Sequence, residues 1–153
     1  MTANADLYAQ DFFQWTQTTA ALIRAGKWQE IDPTSVAEEI ESLGNEQRHA
    51  LRSHLRILLL HQLKWAYQPR HHSGSWRSSI GHARAEIEDR LADSPSLRQM
   101  LPALLTWAYQ RARRLAAIET GLPLVTFPET CPWTLDQLQD QEFLPAVGKD
   151  KTA

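Results

Sequence analysis

The feature that most constrains the fold is an apolar periodicity that keeps one phase through residues 33–67. Apolar residues recur there every three or four positions, the spacing that places side chains on one face of an α-helix. Asp32-Pro33 is a helix start signal, because the carboxylate can cap the first turn and proline fits the first helical position. Pro69 ends the pattern. Gly44 does not change the phase, and we therefore predict one continuous helix over about 33–67.

The rest of the chain predicts three further main helices. The first has helical spacing over 8–25 and ends before Gly26. The second is capped by Ser75 and extends to Leu91. The third starts at Asp93-Ser94-Pro95 and ends at Gly121. No alternating strand pattern longer than three or four residues occurs. Four amphipathic helices with short connections predict an all-α, four-helix bundle.

The last fifth of the chain, from Leu122 onwards, has a different character. Pro123, Pro128 and Pro132 exclude a regular helix or a central strand, yet the segment is too apolar for a free tail. We predict an irregular Pro-rich C-terminal arm docked on the bundle, with one short helix from Thr134. The length of 153 residues suits one domain. The expected organisation is a single helical domain over 1–145 and a disordered tail over 146–153.

Cysteine usage and hydropathy indicate the compartment. The chain has a single cysteine, Cys131, which excludes an intrachain disulfide and suits a reducing cytoplasm. The first residues lack the basic and apolar regions of a signal peptide. The longest aliphatic run, Ile57–Leu60, is far shorter than the roughly 18 residues that a membrane span requires. We predict a cytoplasmic protein without a membrane anchor.

Charge is distributed unevenly. Between Gly44 and Arg84 there are seven Lys or Arg residues against one acid, Glu46, although the formal net charge of the chain is −2. Such a positive segment binds an anionic partner or pairs with acids of its own fold, for which Glu38, Glu41 and Glu88 are candidates. A sequence pI near 6.3 is lower than that of a dedicated nucleic-acid binder, although nucleic acid stays open as a partner. The candidate partner-binding residues are Arg48, Arg52, Arg56, Arg70 and Arg77.

Several charged residues flank the most apolar turns of the helices. Charged groups in such positions are usually paired when buried. We predict a semi-buried polar network that fixes helix register or, alternatively, forms an enzyme or metal site between the second, third and fourth helices. Glu46-x-x-His49 has the spacing of a di-metal motif but occurs once, so we assign no metal, cofactor or catalytic residue. The network residues are Glu39, His61, Lys64, Arg77 and Glu119.

A set of short motifs gives the chain a family resemblance. Its members include Tyr8-x-x-Asp11-Phe12-x-x-Trp15, Glu38-Glu39-Ile40-Glu41-Ser42-Leu43-Gly44, Ser75-Trp76-Arg77-x-x-Ile80 and Phe127-Pro128-x-x-Cys131-Pro132. In this order and spacing the chain resembles the bacterial domain-of-unknown-function family twenty-nine over about Tyr8 to Pro145. The resemblance implies a compact helical domain and carries no activity and no catalytic residues.

These observations favour a non-enzymatic binding or regulatory module for a protein or an anionic partner. The alternative is the enzyme or metal protein built on the polar network. A homodimer through an exposed helix face is left open, and a membrane is excluded as a partner.

Overall fold

The computed structural model of the protein describes residues 3–147, and these form helices and irregular segments without a strand. The described α-helices are α1 (Ala3–Gln10), α2 (Phe12–Arg24), α3 (Pro33–Tyr67), α4 (Gly74–Asp93), α5 (Leu101–Thr120) and α6 (Leu135–Gln139). The predicted all-α fold, its long helix and the short helix after Thr134 are confirmed. Within the described range no helix has the length and apolar character needed to cross a bilayer.

The contacts divide the chain into two compact units, and the boundary falls inside α3, between Glu46 and Gln47. The predicted single domain over 1–145 stays a prediction. Of the predicted disordered tail, residues 148–153 lie outside the described residues.

The predicted first helix is wrong in its extent, because two helices occupy the segment. α1 begins before Tyr8, and α2 starts anew after Asp11. Asp11 has an extended backbone, and its carboxylate accepts a hydrogen bond from the amide of Gln14 at 3.0 Å. Aspartate in this position satisfies an amide that the first turn leaves without a partner. Asp11, which the sequence pattern placed in the first turn of a helix, is therefore the N-terminal cap of α2.

The other helix ends follow local chemistry. Gly44 lies inside a continuous α3, as predicted, and Gly121 ends α5 in the left-handed region with φ 72°. The start of α4 differs, since Ser73 rather than Ser75 accepts the capping bond, from the amide of Trp76. The start of α5 also differs, because Pro95–Met100 form a 3-10 turn before the α-helix begins. Tight 3-10 turns are frequent at the ends of α-helices.

The N-terminal unit is organised around a buried amide. Asn4 is 5% exposed, donates to the hydroxyl of Thr19 at 2.9 Å, and accepts from the indole nitrogen of Trp15 and from the amide of Asp32. Since buried polar groups are costly unless bonded, this hub fixes α1 and α2 to the segment that precedes α3.

The C-terminal unit contains the large apolar core. Leucines of α3 between Leu51 and Leu63 pack with apolar residues of α4 and α5. The arm completes this core, because Phe127 and Leu138 are each 1% exposed. Full burial of such a side chain stabilises a fold by about 1.5–3 kcal/mol. The arm is also bonded to α5, where the hydroxyl of Tyr109 donates to the carbonyl of Pro128 at 2.6 Å.

Candidate functional site: a basic face on α3 and α5

Two rows of arginine meet at one tryptophan. On α3, Arg48, Arg52 and Arg56 recur every four residues and therefore share a helix face. On α5, Trp107, Arg111 and Arg114 follow at spacings of four and three residues, which also place them on one face. The guanidinium of Arg52 lies 4.2 Å from the centre of the Trp107 ring, and that of Arg111 lies 3.8 Å from it. We call these six residues the basic face.

Trp107 acts as the platform of the basic face. A guanidinium over an indole ring is attracted by the negative face of the π-system, by about 0.5–1 kcal/mol when solvent reaches the pair. The Trp107 ring attracts both guanidinium groups and so holds two like charges close to one ring. Because the indole carries no net charge, it does not neutralise them. Trp107 is half-buried and Arg111 is exposed, so the paired cations remain accessible to solvent.

The helix segments that carry the basic face contain no acidic residue. Positions 47–67 of α3 and 101–118 of α5 contain no Asp or Glu. Within residues 3–147, none of the face's five arginines has a carboxylate oxygen within 4.0 Å, since the ion pairs found there involve other cations. The predicted acid Glu88 accepts a hydrogen bond from Gln141 at 3.2 Å.

The candidate partner-binding residues occupy three different elements. Arg48, Arg52 and Arg56 are half-buried members of the basic face. Arg70 is exposed in the 3-10 turn Pro69–His71, and Arg77 is exposed in the first turns of α4. The structure therefore brings Arg52 of α3 together with Arg111 of α5, an arginine that was not selected from the sequence.

Two members of the predicted polar network are in contact. Lys64 and Glu119 form a salt bridge of 2.8 Å, in which the lysine side chain is 14% exposed. The ammonium group also lies 4.7 Å from the centre of the Trp76 ring. This lysine thus links α3, α4 and α5 within the C-terminal unit.

The other network residues have separate partners. The Nδ1 of His61 lies 2.8 Å from the carbonyl of Ile57 in its own helix. In the N-terminal unit, Glu39 accepts a hydrogen bond of 2.5 Å from the hydroxyl of Tyr8. That hydrogen bond, followed by burial and the charge of Glu39, raises the pKa of Tyr8 to about 12. The register role of the network stays a prediction.

A histidine with a lowered pKa, His54, lies in the C-terminal unit. His54 on α3 approaches Glu86 on α4 at 3.7 Å, and Arg90 approaches the same carboxylate at 3.7 Å. Burial and the charge of Arg90 lower the pKa of His54, while Glu86 opposes the shift. Among residues 3–147 there is no group of three or more His, Cys, Asp or Glu side chains positioned to hold a metal ion.

The lone cysteine lies against the core. Cys131 is half-buried, and its Sγ donates to the carbonyl of Trp133 at 3.4 Å. Burial raises the pKa of its thiol, which disfavours the nucleophilic thiolate.

The sequence analysis missed residues whose roles depend on tertiary contacts. Arg111 carried a usable signal, because a Trp and an Arg four residues apart share a helix face. Gln62 and Arg84 carried none. Gln62 is completely buried in α3 with neither amide atom bonded within the described part of the chain, and Arg84 is 3% exposed in α4.

The model of a domain of unknown function, DUF29, matches residues 7–144. The chain belongs to this family. The match covers both units and includes the basic face of this DUF29 domain. No curated protein and no solved structure matches the chain.

Proposed function

We propose that this DUF29 domain is a non-enzymatic binding module that holds an acidic segment of a partner protein on the basic face. One observation carries the proposal: Arg52 and Arg111 share the Trp107 ring, and no carboxylate of residues 3–147 lies within 4.0 Å of either. Cations that a fold aligns without neutralising them retain their attraction for an external anion. The proposal keeps the cytoplasmic location predicted from the sequence, and homodimer formation stays a prediction.

The spacing of the arginines suits carboxylates on a peptide. Residues four apart on an α-helix rise about 6 Å, so Arg48, Arg52 and Arg56 form a regular row of cations. Acidic residues at the same spacing on a partner helix match this repeat. Each guanidinium can bind a carboxylate through two parallel N–H groups, which adds geometric specificity to the charge attraction.

Two features favour an acidic protein segment over nucleic acid. Binding of single strands relies on aromatic rings on which bases stack, but the Trp107 ring already holds two guanidinium groups. The sequence pI near 6.3 is also lower than that of a dedicated nucleic-acid binder.

Fluorescence anisotropy tests the proposal with two labelled probes, a 20-residue polyglutamate peptide and a 20-nucleotide poly-dT strand. We expect the wild type to bind the peptide, more weakly as salt is raised because ions screen exposed charges. The double variant Arg52→Gln/Arg111→Gln is expected to bind about tenfold more weakly or worse, since each charged hydrogen bond contributes on the order of 1.5–3 kcal/mol. Arg24→Gln/Lys27→Gln is the matched control, because it also removes two cations, both exposed and outside the basic face.

The outcomes separate the possible partners. Equal loss of affinity in the control and in the double variant would show that net charge alone drives binding and would refute the assignment to the basic face. Tighter binding of poly-dT than of the peptide would replace the acidic protein with nucleic acid. Circular dichroism of each variant confirms that the helices are retained.

A further inference from the structure

A buried arginine in α4 has an incomplete set of partners. Arg84 is 3% exposed, and its Nε donates to the carbonyl of Leu138 at 2.9 Å. Its Nη2 is buried and has no hydrogen-bond partner among residues 3–147. No carboxylate oxygen in that range lies within 4.0 Å of the guanidinium. Because a buried charge normally has a partner, this unbonded donor marks Arg84 as a candidate ligand-binding residue.

Arg84 lines a cavity of about 200 Å³ within the C-terminal unit. Most of its wall is aliphatic, with leucines contributed by α3 and α6 and Ile87 contributed by α4. A dry cavity of about 150 Å³ accepts a benzene molecule, so this space accommodates a small ring or a short aliphatic chain. The cavity therefore combines an apolar body site with a charged wall.

The charged wall favours an anion. Arg84 and Arg98 are the cations that line the cavity, and Glu88 is the acid. Gln141 donates a hydrogen bond to Glu88 at 3.2 Å, which leaves that carboxylate with a partner of its own. Burial lowers the pKa of Arg84, and the charge of Asp140 opposes this shift. An incoming monoanion would offset the cost of burying this guanidinium.

We propose that the cavity beside Arg84 binds a small organic carboxylate with an apolar body. The carboxylate accepts from the guanidinium of Arg84, and the apolar body packs against the leucines of α3 and α6. Arg98, which is exposed on the 3-10 turn before α5, supplies a second cation at the rim. None of these residues belongs to the basic face, so this site is independent of the proposed function.

Isothermal titration calorimetry of the full chain tests the proposal with benzoate and its neutral analogue benzyl alcohol. We expect benzoate to bind about tenfold more tightly or better, because its carboxylate forms a hydrogen bond in which both partners are charged, whereas the hydroxyl of benzyl alcohol is neutral. Arg84→Gln is expected to remove this preference. If Arg84→Gln does not fold, Arg98→Gln carries the test, since an exposed side chain can be replaced with little effect on folding. That variant is expected to weaken benzoate binding and to leave benzyl alcohol binding unchanged.

Three results would overturn the proposal. Equal affinity for benzoate and benzyl alcohol would show an apolar cavity without anion recognition. No heat of binding at millimolar benzoate, with no shift of the backbone amide resonances of α4 and α6 in a parallel NMR titration, would show that the cavity has no ligand role of this kind. Benzoate binding that Arg52→Gln/Arg111→Gln reduces and Arg98→Gln does not would move the anion to the basic face.

Discussion

The buried side chain of Gln62 on α3 should lower the free energy of unfolding of the protein. Its side chain is 0% exposed, and both amide atoms lack a hydrogen-bond partner among residues 3–147. In water these atoms would be solvated, so folding loses their hydration without a bond in return. Mutational data place this cost at about 1–3 kcal/mol for a polar side chain. Methionine has a similar length and no branch, and it removes the two unpaired atoms while filling the space.

We therefore expect Gln62→Met to raise the free energy of unfolding by about 1–3 kcal/mol. For a chain of this size, about 1 kcal/mol corresponds to a rise of about 2–4 °C in the melting temperature. Urea denaturation followed by tryptophan fluorescence measures the change, and a second probe, far-ultraviolet circular dichroism, tests for a single transition.

Gln110→Met is the matched control on α5. The amide of Gln110 donates to the carbonyl of Glu129 at 2.8 Å, so the same substitution there removes a bond that exists. We expect this variant to be neutral or less stable by about 1 kcal/mol. A destabilised Gln62→Met protein would refute the reasoning, because it would show that the amide of Gln62 is satisfied within the folded protein.

Further predictions concern single side chains. Tyr109→Phe leaves the carbonyl of Pro128 without its hydrogen-bond donor and should lower the free energy of unfolding by about 1–2 kcal/mol. Protease should then cleave the arm faster, and an unchanged cleavage rate would contradict the role of this bond. Gly44→Ala should raise the free energy of unfolding by about 0.8–1 kcal/mol in urea, since α3 is continuous there and no atom crowds an added Cβ; a loss of stability would indicate a break in the helix. The pKa of His54 is lowered from its ordinary value of 6.5, so the unfolded chain takes up the proton at a higher pH than the folded protein does. The stability that this histidine contributes is therefore complete above pH 6.5 and should fall as the pH drops below it. Denaturation midpoints of His54→Gln measured across this range should lack this pH-dependent fall. The raised pKa of the Cys131 thiol should make its alkylation by iodoacetamide at pH 7 slower in the native protein than in urea, and equal rates measured by mass spectrometry would contradict its burial.

Local patterns in the sequence were sufficient for the continuity of α3 and for the end of α5. The phase through residues 33–67 outweighed the single glycine in it, because one unfavourable residue costs about 1 kcal/mol while the apolar face is buried from Leu51 to Leu63. Gly121 ended α5 where only a residue without a side chain adopts a left-handed conformation at low cost. The break at Asp11 was missed because the same acid fits two roles, a first-turn charge and a cap, and the sequence does not distinguish them.

The partners of individual side chains depended on tertiary structure. The repeat of Arg48, Arg52 and Arg56 was visible in the sequence, but the ring that joins Arg52 to α5 belongs to Trp107, more than fifty positions further along the chain. Arg84 resembled any other helix arginine, and only the docking of the arm buries it beneath Leu138. Helix periodicity depends on neighbours three and four residues apart and is therefore written locally. The charge environment of a side chain depends on which distant segments pack against it. The sequence by itself did not determine that packing.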